Sequence, residues 1–115
     1  MQRNPFESTE VVSSGSATGS HYNISWEERK CGNVVMVRVF LTPTADSSAS
    51  YVEVISMSNL KFPPYAEIIG AINLTIAPGD LTPTATTSLN ENKNLRIRGS
   101  ATNGRTGITN FTYLI

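Results

Sequence analysis

The sequence predicts an all-β domain, a single antiparallel β-sandwich or jelly-roll-like barrel of about seven or eight strands. Three observations predict it. Apolar residues recur with a period of two and not of 3.6. The apolar segments are short and separated by breaks rich in Gly, Pro, Asn and Asp. No stretch of ten residues carries a helical pattern.

The elements follow in order. Residues 1–19 read as a Ser/Gly-rich lead-in with one strand around residues 8–13, because the run SSGSATGS has the composition of a linker or long turn. Residues 20–115 are the folded unit. Tyr22, Ile24 and Trp26 alternate with Asn23, Ser25 and Glu27. The turn Lys30-Cys31-Gly32-Asn33 leads into a strand over 34–41, where Val35, Val37, Val39 and Leu41 share one face. The other face holds Val34, Met36, Arg38 and Phe40, so both faces are largely apolar, as in a strand buried on both sides. TPTADSSAS is a turn-rich break before the alternation of 51–57, with Val52 and Val54 opposite Glu53 and Ile55.

LKFPPY ends that strand, since consecutive prolines cannot join the middle of a sheet. Residues 67–76 read as the longest strand, with Gly70 among its isoleucines. After the turn Ala77-Pro78-Gly79-Asp80, residues 82–89 form a weak Thr-rich strand. Asn90-Glu91-Asn92-Lys93 is the next turn, and Leu95 and Ile97 face inward between Arg96 and Arg98. Residues 103–107 are loop, and 108–115 close the fold with Phe111, Tyr113 and Ile115 in phase.

Composition narrows the function. The chain has 115 residues, enough for one domain, and nine Lys plus Arg balance nine Asp plus Glu. That balance leaves no surplus charge for sequence-independent nucleic-acid binding, and no nucleic-acid partner is expected. The apolar runs are too short to insert in a membrane. Ser, Thr and Asn make up about a third of the chain, where an average domain carries more charge. One cysteine and one histidine give no multi-thiolate zinc site and no two-His metal site, so no metal or cofactor is expected.

Catalytic residues are equally scarce, and no enzyme is expected. Asp46 and Asp80 sit in turn sequences, and Glu27 and Glu28 are adjacent and point to opposite faces of a strand. Cys31 has only His21 as a conceivable base. Neither phosphate-binding glycine motif is present. The aromatics Trp26, Tyr22, Tyr51, Tyr65 and Tyr113 are the remaining lead, since such rings stack on sugars. Those in phase on a strand read as core, whereas Tyr51 and Tyr65 sit at strand edges.

The stretch Y-N-I-S-W-E-E-R-K-C-G-N-V-V-M-V-R-V-F-L resembles the opening of small C-terminal head domains on tail-fibre and receptor-binding proteins of tailed bacteriophages. There too a tryptophan strand leads through a charged Gly-containing turn to a valine-rich strand. Leu60-Lys61-Phe62-Pro63-Pro64-Tyr65 resembles that family's rim element, with two adjacent prolines in place of the usual spacer. Pro78-Gly79-Asp80-Leu81, Asn94-Leu95-Arg96-Ile97 and Phe111-Thr112-Tyr113-Leu114-Ile115 continue in the same order. The resemblance covers residues 20–115. It implies a homotrimer at a phage or prophage tail tip, in the virion, touching other tail proteins and adhering to a host-surface saccharide. No shaft-like sequence precedes the head, so the chain reads as an excised head or a short stand-alone structural protein.

The residues add one independent expectation. Val34, Met36 and Phe40 exceed what one small core needs, and an intersubunit seam accounts for them. Two alternatives to saccharide adhesion remain open, a tail or capsid module making only protein contacts and a polysaccharide-degrading enzyme or its accessory module. The candidate ligand-binding residues are His21, Trp26, Arg38, Tyr51, Tyr65 and Arg105. For Arg38 the competing reading is an ion pair with Glu27, Glu28 or Glu53.

Overall fold

The computed structural model describes residues 10–74 and 85–115. Eight strands run in the order β1 (Val11–Thr18), β2 (Tyr22–Cys31), β3 (Val34–Pro43), β4 (Val52–Ser56), β5 (Ile68–Leu74), β6 (Thr86–Leu89), β7 (Asn94–Arg98) and β8 (Gly107–Leu114). They form two four-stranded antiparallel sheets packed as a sandwich. The ladder order is β1-β2-β3-β8-β5-β6-β7-β4, so β1 and β4 are its two ends. Closing a barrel requires a ladder between those ends. None joins them among the described residues, which decides between the two architectures the sequence left open.

The period-two pattern works as the sequence predicts in the first sheet. Tyr22, Ile24 and Trp26 on β2 and Val35, Val37, Val39 and Leu41 on β3 all face the core. Phe111 and Tyr113 join them from β8. In the second sheet Ile55, Leu89, Leu95 and Ile97 supply the opposing layer, with Met57 and Leu60 beyond the end of β4. Each of these side chains contributes roughly 1.5–3 kcal/mol on leaving water.

One segment differs from its sequence reading. The Ser/Gly run expected as linker is most of β1, held by a backbone ladder that pairs Ser14 with Glu27 and Ala17 with Ile24. The strand therefore runs further along the chain than residues 8–13. Its composition lets it serve as an edge, where polar side chains and Gly15 are compatible with one unpaired side. Gly15 lies opposite Trp26, and a Cβ there would come 2.9 Å from Cε2 of the indole. On β4 the alternation holds as read, and the structure fixes its phase, with Val52 and Val54 outward and Glu53 and Ile55 inward. Period two allows one phase, and Ile55 and Met57 impose theirs. The turn at residues 77–80 and the start of the Thr-rich strand lie outside the described residues.

β5 joins the sheets. Residues 68–70 pair with β6 in the second sheet, and residues 71–74 pair with β8 in the first. Gly70 is the corner. A Cβ at this position would lie 2.5 Å from Thr109 Oγ1 and 2.7 Å from both Thr87 Oγ1 and Phe111 Cε1. Only a residue without a side chain lets the strand pass over these atoms as it changes sheet.

Candidate functional site

One end of the sandwich is a rim built from the β1–β2 turn, the β3–β4 loop and the β7–β8 loop. Backbone hydrogen bonds lace the three together. Thr44 N–H donates to His21 O at 2.8 Å, Gly104 N–H to Pro43 O at 3.1 Å, and Gly99 N–H to Tyr51 O at 2.9 Å. Ser47 and Ala101 form an isolated bridge between the two long loops. Asp46 Oδ1 accepts the Asn103 N–H at 2.8 Å, a further tie between the two long loops.

Glu53 organises the centre of this rim. It is buried, and its Oε1 accepts the His21 backbone N–H at 2.8 Å and the Tyr51 phenol at 2.6 Å. It thereby ties the first sheet's β1–β2 turn to the second sheet. The His21 imidazole tilts against the Tyr51 ring, with centroids 4.2 Å apart and 49° between planes. His21 Nδ1 is 3.9 Å from Glu53 Oε1. Glu53 Oε2 and His21 Nδ1 are both buried and have no hydrogen-bond partner among the described residues.

The electrostatics hold the phenols protonated. Burial pushes the Tyr22 phenol up to about 12, with the Glu53 charge and then Tyr51 adding to the shift. Tyr51 is raised chiefly by its hydrogen bond to Glu53, and the Ser20 hydrogen bond opposes this. At the rim surface the protonated Tyr51 phenol and the His21 imidazole beside it can stack and exchange hydrogen bonds, with Tyr22 buried beneath in the core.

The expected residues fall in different places. His21 and Tyr51 come together, and Arg105 stands on the same end of the molecule, half-buried in the β7–β8 loop. Trp26 is in the core at 3% exposure, its Nε1 unpartnered among the described residues. Tyr65 is 80% exposed in the β4–β5 connection, away from the rim. Arg38 is exposed on the outer face of the first sheet, opposite Glu27 in register, and its Nε donates to Asn110 Oδ1 at 3.4 Å. Glu27 pairs with Arg29 at 3.6 Å, while Glu28 and Glu53 face the interior.

Other chemistry is separated by the fold. Cys31 ends β2 and His21 precedes its first residue, so at about 3.3 Å per residue they lie some 30 Å apart. That distance rules out a thiolate–imidazole pair within one chain. Among the described residues no group of three His, Cys, Asp or Glu side chains could hold a metal ion. The second buried glutamate, Glu28, is occupied structurally. It accepts the Lys61 and Phe62 N–H groups at 2.9 and 2.8 Å and the Ser13 hydroxyl.

Compared with protein-family models, curated proteins and solved structures, the chain matches none.

Glu53 is the rim residue that sequence reading missed. Its signal was present, since Tyr51, Glu53, Ile55 and Met57 share one phase. The outward valines disguised it.

Proposed function

We propose that this chain is a non-enzymatic recognition domain that binds a host-surface saccharide through its rim, as the receptor-binding head of a phage tail protein. The observation that supports the reading is the His21–Tyr51 ring pair, anchored from below by the buried Glu53 carboxylate. Two rings fixed at a loop-rich end provide a stacking surface at small cost in side-chain entropy. Glu53 acts by positioning the pair, because its carboxylate is buried and already accepts two hydrogen bonds.

Trimerisation is part of the proposal. Val34 and Met36 are half-buried and Phe40 is exposed on the outer face of the first sheet, next to the β8 edge of that face at Leu114. A seam on this face would raise weak single-site affinity to avidity. Binding to a printed panel of bacterial surface polysaccharides tests the adhesion reading, with wild type compared to Tyr51→Ala and His21→Ala. Saturable binding lost in both variants supports it, and no binding by the wild type would point to a module that makes only protein contacts. Light scattering tests the seam independently, with an expected mass of three times 12.5 kDa.

A further inference from the structure

On the outer face of the second sheet, β7 presents Arg96 and Arg98 side by side, while Leu95 and Ile97 between and beside them are buried in the core. Ladder register surrounds the arginines with uncharged neighbours. Arg96 stands between Val54 on β4 and Ser88 on β6, and Arg98 between Val52 and Thr86. Ile69 of β5 lies opposite Ser88 and is 81% exposed. The surface dips here into a groove of about 210 Å³ lined by Glu67, Ile69, Thr86, Ser88 and both arginines.

The charge arrangement is unusual for a solvated sheet face. Cross-strand positions beside an arginine ordinarily gain from an opposite charge. Here they hold valine, serine and threonine. Among the described residues neither guanidinium has an ion-pair or hydrogen-bond partner. The groove's single carboxylate, Glu67, accepts the Ser88 hydroxyl at 2.9 Å. Two like charges about 7 Å apart on one strand face repel each other mildly, and an anion held between them removes that repulsion.

We infer that this groove is a binding site for a carboxylate-bearing sugar unit, such as a uronic acid. The arginines take the carboxylate through charge-assisted hydrogen bonds, which Arg geometry favours. Thr86 and Ser88 meet ring hydroxyls, and Glu67 accepts from them. The exposed Ile69 packs against the apolar face of the ring. Glu67 also sets the charge preference, because a phosphate dianion would sit close to it and be repelled. The site is separate from the rim and does not depend on the His21–Tyr51 reading.

The test uses the whole chain, amide-resolved NMR titration and three probes: sodium D-glucuronate, its uncharged isostere D-glucuronamide, and inorganic phosphate. Glucuronate is expected to shift the amides of residues 86–88 and 95–98 saturably, and to bind at least tenfold more tightly than glucuronamide or phosphate. The variants Arg96→Gln and Arg98→Gln change exposed side chains, so their melting temperatures should match wild type while each loses tenfold or more in affinity. His21→Ala and Tyr51→Ala should leave this titration unchanged, which separates failure of this site from failure of the rim. Equal binding of phosphate and glucuronate, shifts confined to other residues, or unchanged affinity in both arginine variants would overturn the assignment.

Discussion

Thr87 Oγ1 and Thr109 Oγ1 lie 2.6 Å apart in the buried interior, one from each sheet. Their hydroxyls bond to each other directly beneath Gly70, where β5 changes sheet. Removing one partner leaves the other hydroxyl buried and unpaired, at about 1–3 kcal/mol. Thr87→Val and Thr109→Val are each expected to lose stability by that amount. The double variant should lose less than the sum, because no orphan remains. Chemical denaturation of the four proteins measures the coupling, and strict additivity would show that the hydroxyls act separately.

Gly70→Ala places a methyl 2.5 Å from Thr109 Oγ1 and 2.7 Å from Phe111 Cε1. Neither neighbour is a flexible chain end in open solvent, so the corner itself must shift. Overpacking of this kind costs about 1–3 kcal/mol. A lowered melting temperature is expected, with a larger drop for Gly70→Val. An unchanged melting temperature in both variants would mean that the corner is looser than its geometry implies.

The fully buried Glu28 holds the Lys61–Phe62 segment by two backbone hydrogen bonds, and Tyr113 Oη donates to Phe62 O at 2.6 Å beside them. Glu28→Ala orphans both N–H donors, at about 1–3 kcal/mol each. Hydrogen exchange at Lys61 and Phe62 should accelerate in this variant before exchange in β3 does. Glu28→Gln keeps one acceptor oxygen and is expected to fall between. Uniform acceleration across the whole domain would instead indicate global destabilisation alone.

Alkaline pH should weaken the fold. The Tyr22 phenol has a folded pKa of about 12 against 10.0 for the free side chain, through burial first and Glu53 second. The folded state therefore keeps its proton where the unfolded state releases it. The corresponding stabilisation is fully present below about pH 10 and disappears as pH rises towards about 12. Tyr113 shifts in the same direction, by burial and then by the Glu28 charge. Denaturation followed across this window should give a falling stability whose slope is reduced in Tyr22→Phe. An identical slope in the variant would assign the alkaline loss to other groups.

The strands were legible because period two is a local property. Val35, Val37 and Val39 can only be one face, and the structure buries all three. The expected strand around residues 8–13 stopped short of most of β1, because the linker reading of residues 13–20 rests on composition, which reports what a segment prefers alone. Edge pairing with β2 overrides that preference. At the site, His21 and Tyr51 were identifiable as strand-end polar aromatics. That they meet over Glu53 was not, since 32 residues separate His21 from Glu53 and no local pattern encodes the approach.

What the sequence by itself determined is the all-β class and which alternating residues could form a core, since both follow from the two-residue repeat of a strand. The tertiary structure alone decided the sandwich over the barrel, the inward turn of Glu53, and the flanking of Arg96 and Arg98 by Val54, Val52, Ser88 and Thr86. The reason is that side-chain alternation is fixed within one strand. Ladder order, register and the sheet change at Gly70 depend on which strands meet, and those pairings are chosen by packing across the whole chain.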